Sequence, residues 1–267
     1  MSHLDGRVAL VTGAGGGIGS AICRRLSADG AFVVAADINQ GNAAQVAQAI
    51  EKTGRGALGL HLDVTKQEEW RSVVAETLGK AGRLDILVNN AGVANIKPLE
   101  AVSFEEWQTD IDVNLNGAFL GIKEALALMR ESAARTPSGG SIINIASVSA
   151  LVGSPGMPAY SASKGGLRLF SKAIAVDFAR RRYGIRVNSV YPGLIDTKLT
   201  KPLFESRIKA GSDKDIETIR SEMLERYPIG RIGRPEEIAS VISFLAGDDS
   251  SYMVGAELVV DGGLTAG

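Results

Sequence analysis

The chain has 267 residues, of which 45% are hydrophobic and 22% are charged, and its formal net charge is -1. A chain of this length can bury roughly three quarters of its unfolded surface in one core, so one large domain is expected. The near-neutral charge, without a long run of like charges, gives no electrostatic case for nucleic acid or an anionic membrane. The expected partner is a small molecule.

Residues that ligate metals or span membranes are scarce. Cys23 is the only cysteine, and His3 and His61 are the only histidines, which excludes an internal disulfide and leaves too few soft ligands for zinc. The N-terminus has no apolar stretch long enough for a signal sequence, and about 18 consecutive apolar residues occur nowhere. We therefore expect no metal site, no membrane association and a cytoplasmic protein.

Short runs of apolar and β-branched residues alternate with longer segments of helical periodicity. This alternation predicts an α/β fold: a Rossmann-type, doubly wound sheet of about seven parallel strands with helices on both faces. Several runs are apolar without alternation, as expected for strands that are covered on both faces. The predicted strands are 7–12, 31–36, 57–62, 84–89, 141–146, 185–190 and 256–260.

A glycine-rich stretch follows the first predicted strand and precedes an amphipathic helix. It reads TGAGGGIG over residues 12–19, and its glycines permit close approach of the backbone to a phosphate. The free N–H groups and the positive dipole end of the helix would hold a pyrophosphate. A glycine-rich turn without a ligand is the alternative, but the position after the first strand favours a dinucleotide site at Gly13, Gly17, Ile18 and Gly19.

Asp37 ends the second predicted strand, 18 residues after Gly19. An acid there can accept hydrogen bonds from the adenosine ribose and would repel a 2′-phosphate. Neither Gly16 nor Gly17 is basic, and Ile38 follows where an Arg would have neutralised the carboxylate. These residues predict NAD as the cofactor, in preference to NADP. The alternative role for Asp37 is a helix N-cap.

Two more predicted strands end in polar residues at the same edge of the sheet, where open α/β sheets bind ligands. The third ends at Asp63-Val64, a pair that can flank an adenine ring, and the fourth ends in the turn-forming sequence Asn89-Asn90-Ala91-Gly92. Asn114 follows within a helical pattern, where Asn is mildly unfavourable. A helix-packing hydrogen bond is the alternative role for Asn114.

Residues 141–166 carry the candidate catalytic side chains. An apolar run delivers Ser147 to the C-terminal end of a predicted buried strand. If the segment after Pro158 is helical, Tyr160 and Lys164 at i and i+4 share one face, about 6 Å apart at their Cβ atoms. An adjacent ammonium favours phenolate and lowers the pKa of a tyrosine, which can then exchange protons with an alcohol or carbonyl. The alternative is a strand end followed by a solvated helix face.

In this order, the motifs resemble those of the short-chain dehydrogenases/reductases, single-domain Rossmann enzymes of about this length. TGAGGGIG is similar to the family pattern TGxxxGxG, residues 89–92 to NNAG, and Ser147, Tyr160 and Lys164 to Ser-x12-Tyr-x3-Lys. The resemblance covers nearly the whole chain and implies that Asn114, Ser147, Tyr160 and Lys164 form a catalytic tetrad. It also implies a nicotinamide-binding segment at Pro192, Gly193, Ile195 and Thr197.

The resemblance also implies roles for the tetrad. Ser147 would hydrogen-bond the substrate oxygen, and Tyr160 as phenolate would take the alcohol proton while NAD accepts a hydride. Lys164 would lower the Tyr160 pKa and bind the nicotinamide ribose, and Asn114 would hold a water that connects Lys164 to solvent. The predicted cofactor-binding residues are Gly13, Gly17, Ile18, Gly19, Asp37, Asp63, Val64, Asn90, Gly92, Tyr160, Lys164, Pro192, Gly193, Ile195 and Thr197.

The predicted substrate lining is largely apolar, and no Arg or Lys is obviously placed to grip a carboxylate. It suits a secondary alcohol or ketone with a sizeable hydrophobic body. Within the family, GGSIINIASVSA and VVDGGLTAG look most similar to hydroxysteroid and secondary-alcohol dehydrogenases. The predicted substrate-binding residues are Ser147, Ser149, Leu151, Met157, Tyr160 and Leu194, with Ala94 and Tyr191 as further candidates.

Three alternatives stay open. The first is an NADPH-dependent β-ketoacyl-carrier-protein reductase, which Asp37 without a neighbouring Arg disfavours. The second is a sugar or polyol dehydrogenase. The third is an NAD-binding subunit without catalysis, which the complete tetrad disfavours.

No Pro- and Ser-rich linker divides the chain, so residues 1–267 are interpreted as one dinucleotide-binding catalytic domain with a substrate-loop insertion at about 198–232. The predicted helices over 105–130 and 159–182 have more apolar positions than one sheet-facing stripe requires, which suggests burial between subunits. Family precedent implies a homotetramer, and a dimer is also compatible with the sequence.

Overall fold

The computed structural model describes residues 3–197, 200, 221–222 and 224–267. These residues form the strands β1 (Val8–Thr12), β2 (Phe32–Asp37), β3 (Ala57–His61), β4 (Ile86–Asn89), β5 (Gly140–Ile145), β6 (Ile185–Pro192) and β7 (Glu257–Val260). The helices are α1 (Gly17–Ala28), α2 (Gln40–Glu51), α3 (Gln67–Ala81), α4 (Phe104–Ile111), α5 (Gly117–Ala133), α6 (Pro158–Arg180) and α7 (Pro235–Ala246). Every strand begins and ends within two residues of its predicted position.

All seven strands pair in parallel, in the order β3-β2-β1-β4-β5-β6-β7. The predicted doubly wound sheet is therefore confirmed. The strand order reverses between β1 and β4, and a crevice opens outside the carboxyl ends of the strands at such a reversal. The topology thus places a ligand site where β1 and β4 deliver their last residues.

The core lies on both faces of the sheet, because successive side chains of a strand point in opposite directions. Val11 of β1 packs with Ile22 of α1 in one apolar cluster that also includes residues of α7. Leu10, its neighbour in β1, packs with Trp70 of α3 and Met129 of α5 in the other. All five side chains are fully shielded from solvent, which accounts for the uninterrupted apolar runs of the sequence.

The helix predicted over 105–130 is wrong as a single element. It divides into α4, a π-helical turn over Asp112–Asn116, and α5. Gly117 at the end of the turn donates its N–H to the carbonyl oxygen of Asp112, five residues earlier. Periodicity does not reveal one extra residue in a helical turn, whereas π turns are frequent at functional sites. Asn114 lies in this turn.

The helix predicted over 159–182 is observed as α6, which begins at Pro158 and ends at Arg180. Most of the insertion predicted at 198–232 lies outside the described residues. Its described end is tied to the C-terminal loop, because Ile229 donates its N–H to the carbonyl oxygen of Gly262 at 3.1 Å. In the described part of the chain, no helix is both long enough and apolar enough to cross a membrane.

Candidate active site

A cavity of about 520 Å³ lies at the carboxyl edge of the sheet, where the chain leaves β1 to β6. Every residue that the sequence predicted to bind a cofactor lines it. Of the predicted substrate-binding residues, all but one line it. The exception is Leu151. The structure therefore brings residues that are far apart in sequence into one continuous space.

The glycine-rich turn leads into α1 at one end of this cavity. Gly16 precedes the helix, and no side chain caps the first N–H groups. The first helical turn contains no acidic residue, and Gly17 has a φ of +52°, which disfavours a side chain. A Cβ on Gly19 would stand 2.1 Å from the carbonyl oxygen of Gly13. The uncapped helix start fits a pyrophosphate, since its N–H groups and dipole both attract an anion.

Asn90 joins this turn to the end of β4. Its side-chain Nδ2 donates to the carbonyl oxygens of Thr12 and Gly13, at 2.9 and 3.1 Å. In return, the Thr12 hydroxyl oxygen accepts the main-chain N–H groups of Asn90 and Ala91, both at 3.0 Å. These bonds hold the two loops together across the reversal of strand order. Asn90 is thus a structural support of the site as well as part of its lining.

Asp37 ends β2 and turns its carboxylate into the glycine-rich turn. One oxygen accepts the N–H of Gly15 and the other accepts the N–H of Asn39, both at 2.8 Å. Helix α2 is capped by the Asn39 side chain, which accepts the N–H of Asn42, so the alternative role of Asp37 as its N-cap is wrong. A carboxylate has about four acceptor positions, so Asp37 retains capacity for ribose hydroxyls.

Asp63 and Val64 lie beyond Asp37 along the carboxyl edge and also line the cavity. One oxygen of Asp63 accepts both the N–H and the hydroxyl of Thr65, at 3.0 and 2.8 Å. Val64 is nearly buried, and a Cβ on Gly117 would stand 2.8 Å from its Cγ2. A fixed carboxylate beside an apolar side chain forms a suitable border for an adenine ring.

Ser147, Tyr160 and Lys164 converge at the other end of the cavity. Ser147 follows β5, and its hydroxyl oxygen accepts the N–H of Ser149 at 3.1 Å. Tyr160 and Lys164 lie on one face of α6, with the Lys164 Nζ 5.7 Å from the centre of the Tyr160 ring. The ammonium donates to the carbonyl oxygen of Ile145 at 2.8 Å. All three side chains are less than a tenth exposed, so their interactions are poorly screened by water.

The expected lowering of the Tyr160 pKa by Lys164 is wrong for the protein alone. Burial raises the Tyr160 pKa, the hydrogen bond from Ser147 lowers it, and the charge of Asp110 raises it. Burial also lowers the pKa of Lys164 to about 8, against an opposing contribution from Asp110. Sequence spacing gave the proximity of the two groups correctly, but it gives no measure of desolvation, which is the largest cause of the pKa shift of both groups.

Asn114 is buried behind the cavity and does not line it. Its Oδ1 accepts the N–H of Val93, and its Nδ2 donates to the Val93 carbonyl oxygen and the Ser163 hydroxyl, at 2.9, 2.9 and 3.0 Å. Both amide hydrogens are thereby used. The packing role considered for Asn114 is thus present, and its side chain has no N–H left to hold the predicted water.

Of the residues predicted or considered for substrate binding, Leu151 and Tyr191 do not line the cavity. A short 3-10 turn over Val148–Ala150 carries the chain past Leu151, so that Val152 to Pro155 form the lining. Tyr191 is fully buried, and its hydroxyl bonds to a Glu257 carboxylate oxygen at 3.2 Å. Ser149, Met157, Leu194 and Ala94 line the cavity as expected. Lining residues that the sequence reading missed include Ile38, Ile96, Arg226, Tyr227 and Leu264.

The sequence placed no Arg or Lys where it could grip a carboxylate, but Arg226 lines the cavity. The charged residues in the cavity lining are Asp37, Asp63, Lys164 and Arg226, within the described part of the chain. Asp37 and Asp63 lie at the carboxyl ends of β2 and β3, and Lys164 lies beside Tyr160 on α6. Arg226 is exposed and forms no ion pair with any described carboxylate. No motif marks it, because it belongs to an insertion without clear periodicity.

A comparison with protein families matches residues 13–265 to the family described as Enoyl-(Acyl carrier protein) reductase. Cyclopentanol dehydrogenase of Comamonas sp. (strain NCIMB 9872) is 39% identical over 266 residues, covering 100% of both chains. Cis-4-hydroxycyclohexanecarboxylate dehydrogenase of Sinomonas cyclohexanicum is 42% identical over 261 residues, covering 97% of each chain. The 3-alpha-(or 20-beta)-hydroxysteroid dehydrogenase of Mycobacterium tuberculosis (strain ATCC 25618 / H37Rv) is 38% identical over 265 residues, covering 99% of this chain and 92% of its own.

Among solved structures, the fold is similar to that of a short-chain type dehydrogenase/reductase from Mycobacterium marinum. The TM-score is 0.88 at 34% sequence identity, and the match covers 99% of this chain and 97% of the other. The likeness thus extends over the whole sheet and its helices, not over the glycine-rich turn alone.

Proposed function

Because the chain belongs to the short-chain dehydrogenase/reductase family of oxidoreductases, we propose that it interconverts a secondary alcohol and a ketone on a hydrophobic substrate, with NAD(H) as cofactor. The observation that carries this proposal is the convergence of Ser147, Tyr160 and Lys164 at one end of a cavity whose other end is the uncapped start of α1. A dinucleotide laid along the cavity would reach from that helix to the Tyr160 hydroxyl.

The residues of this chain would divide the chemistry as follows. NAD would supply the hydride acceptor when bound. Ser147 holds the substrate oxygen beside Tyr160, and Tyr160 receives the hydroxyl proton during oxidation or returns it during reduction. Lys164, with a pKa of about 8, is protonated at neutral pH and stabilises the phenolate form. Asn114 acts indirectly, because its hydrogen bonds fix Val93 and Ser163 beside the site.

The proposed preference for NAD follows from Asp37. Its carboxylate is held in place by two N–H groups, so it cannot swing away from a 2′-phosphate. Ile38, the next lining residue, is 67% exposed and carries no charge that would compensate. Repulsion of the phosphate by an uncompensated carboxylate favours NAD. The same argument disfavours an NADPH-dependent acyl-carrier-protein reductase, the principal alternative.

The proposed substrate class follows from the lining and from the relatives. Ala94, Ile96, Val152, Met157 and Leu194 provide an apolar surface, as a hydrophobic ring or steroid-like body requires. The three relatives are named for alcohols on saturated rings and for hydroxysteroids. A sugar or polyol would leave several hydroxyls unpaired against these side chains, which disfavours that alternative.

Arg226 favours a second candidate substrate: a ring alcohol that also carries a carboxylate. Arg226 lines the cavity, and its guanidinium has no described carboxylate partner. It is therefore free to pair with an anionic group on a substrate whose hydroxyl reaches Tyr160. One of the relatives, at 42% identity, is named for a substrate of this kind.

We also propose that the protein is a cytoplasmic homotetramer. Phe119 of α5 and Leu169 of α6 are 45% and 70% exposed, so part of the predicted apolar excess does face outward. Leu120, Leu126 and Phe170 instead pack partly against the core. Exposed apolar side chains on two long helices are typical of a subunit interface. The single cysteine is buried, which is compatible with a reducing compartment.

Initial rates test the main proposal. NAD and NADP are each supplied with cyclopentanol, cyclohexanol, a 3α-hydroxysteroid, sorbitol and a β-hydroxyacyl thioester, and absorbance at the nicotinamide band is followed. We expect NAD-dependent oxidation of the ring alcohols and the steroid, because the cavity wall is apolar and Asp37 repels a 2′-phosphate. Preference for NADP and the thioester would instead establish the acyl-carrier-protein reductase alternative.

Arg226→Ala tests the second candidate. We expect kcat/KM for cis-4-hydroxycyclohexanecarboxylate to fall about tenfold, because the variant loses one charge-assisted contact that solvent partly screens. We expect little change for cyclohexanol. Arg24→Ala is the matched control, since Arg24 is a half-exposed arginine outside the cavity lining. An equal loss on both substrates, or a rise in KM for NAD alone, would assign Arg226 to the cofactor or to the fold.

A further inference from the structure

Asp110 is a buried carboxylate that has no role in the reaction described above. It lies in the last turn of α4 and is fully shielded from solvent. Among the described residues, no lysine, arginine or histidine forms an ion pair with it. Burial of an ionised carboxylate is costly unless hydrogen bonds or charges compensate. Its neighbours must therefore offset the cost.

Asn95 supplies the hydrogen bonds. Its main-chain N–H lies 3.3 Å from each oxygen of the Asp110 carboxylate, and its side-chain Nδ2 lies 2.9 Å from one of them. The same Nδ2 donates to the carbonyl oxygen of Glu106 at 3.1 Å. Asn95 belongs to the segment that follows β4. The contact therefore clamps that segment onto the end of α4.

The clamped segment is a wall of the cavity, lined by Val93, Ala94 and Ile96. Asn114 holds the N–H and the carbonyl oxygen of Val93, both at 2.9 Å. Asp110 holds Asn95, two residues farther on. Two side chains from one helical stretch thus fix alternate residues of the wall, and Ala94 lies between the two fixed points. The position of the wall depends on both.

Asp110 also acts on the catalytic pair, because α4 packs against α6. Its charge opposes ionisation of Tyr160 and favours the ammonium form of Lys164. The charged groups that face it are Glu106 on its own helix and Lys164 on α6, while Lys97 from the clamped segment pairs with Glu106. Among the described charged groups, Asp110 influences the ionisation of both Tyr160 and Lys164.

We propose that Asp110 is a positioning residue for this reaction: it fixes the cavity wall through Asn95 and places a negative charge on α4, which packs against the helix that carries Tyr160 and Lys164. The effect of Asp110 on catalysis rests on the function proposed above. The titration of Tyr160 that tests the proposal needs no substrate and does not depend on that function. Asp110 touches neither cofactor nor substrate, since it does not line the cavity. Its effects are therefore transmitted through the groups that it holds and through its field.

Asp110→Asn removes the charge and keeps both the size and an acceptor oxygen. Loss of a nearby negative charge stabilises the phenolate and destabilises the ammonium, so the pKa of Tyr160 and the pKa of Lys164 both fall. We expect the Tyr160 titration to move to lower pH by about 0.5 units or more. Phenolate absorbance measures this without a substrate, as the difference between each protein and the same protein carrying Tyr160→Phe.

In Asp110→Asn, both limbs of the pH profile of kcat/KM for alcohol oxidation should move to lower pH. Asp112→Asn is the matched control, because Asp112 is an exposed carboxylate two residues farther along the same stretch. We expect it to leave the profile and the titration unchanged. A Tyr160 titration in Asp110→Asn that coincides with that of the wild type overturns the proposal.

Asp110→Leu removes the acceptor oxygens as well as the charge. We expect this variant also to raise the ratio of the KM for a steroid alcohol to the KM for cyclopentanol, because the wall around Ala94 is no longer fixed. An unchanged ratio of the two KM values would overturn the role in the wall. If this variant does not fold, the Asp110→Asn titration decides alone. A wild-type protein that oxidises no alcohol would contradict the proposed function and leave the titration result intact.

Discussion

Tyr160→Phe is expected to retain less than a tenth of wild-type turnover while it still binds NAD. The substitution removes one hydroxyl and keeps the ring, which lies on the buried face of α6. General acid–base catalysis of this kind contributes ~10²–10⁴-fold. Ser147 lacks a described basic partner that would take its proton.

Two measurements separate the loss of chemistry from a loss of structure. Initial rates with NAD and cyclopentanol give the change in kcat, and thermal unfolding with and without NAD reports cofactor binding. At a ligand concentration of 100 Kd, bound NAD adds about 2.7 kcal/mol to stability. We expect the same stabilisation in the variant and the wild type. Tyr252→Phe is the control, because Tyr252 is fully exposed.

Retention of more than a tenth of the wild-type rate by Tyr160→Phe would remove Tyr160 from the acid–base role. A variant that has lost both turnover and the stabilisation by NAD would point to a cofactor-binding or structural role. In the wild type, burial and, to a smaller extent, the charge of Asp110 hold the pKa of Tyr160 above its ordinary value. The proposed role therefore requires that bound NAD and Lys164 together favour the phenolate, and a substrate-free titration with and without NAD would show the shift directly.

The parts of the fold that sequence predicts well are those with a repeated physical signal. The strands are buried on both faces, so each appears as an unbroken apolar run, as in FVVAA of β2. The ligand edge follows from parallel connectivity, which explains why Gly13, Asp37 and Asn90 could be placed together before any coordinates. Each of these inferences depends on chain direction and burial, both of which leave a pattern in the sequence.

What the sequence could not supply is local register and desolvation. The π turn at Asp112–Asn116 adds one residue to a helical turn, and the 3-10 turn at Val148–Ala150 replaces Leu151 by Val152 in the lining. Neither turn has a distinctive composition. The pKa values of Tyr160 and Lys164 depend on how completely the surrounding elements exclude water, a property of the assembled fold.

Asp110 illustrates a signal that was present but ambiguous. In the sequence it is one of several acids in EEWQTDID, and nothing separates it from the exposed Asp112. Only the fold shows that one carboxylate is buried against Asn95 while the other faces solvent. Residues that act through their neighbours have no characteristic spacing in the sequence. Ser147, Tyr160 and Lys164 do have one, because they must meet around the same reacting atoms.

Replacement of Asp37 by Ser together with Ile38→Arg is expected to reverse cofactor preference. The first change removes the carboxylate proposed to bind the ribose, and the second places a guanidinium on an exposed position of the cavity lining. Loss of one charge-assisted hydrogen bond and gain of another, at 1.5 to 3 kcal/mol each, changes the NAD to NADP ratio of kcat/KM by ~100-fold or more.

The control for this prediction is Asp37→Asn, which keeps an acceptor for the N–H of Gly15 and so preserves the glycine-rich turn. We expect it to weaken NAD use modestly without creating strong NADP use, because the repulsion is gone but no cation replaces it. Kinetics with both cofactors at fixed cyclopentanol give the ratios. If the double variant loses activity equally with NAD and NADP, Asp37 supports the turn and does not select the cofactor. If NADP use rises in Asp37→Asn as much as in the double variant, repulsion by the carboxylate alone sets the preference.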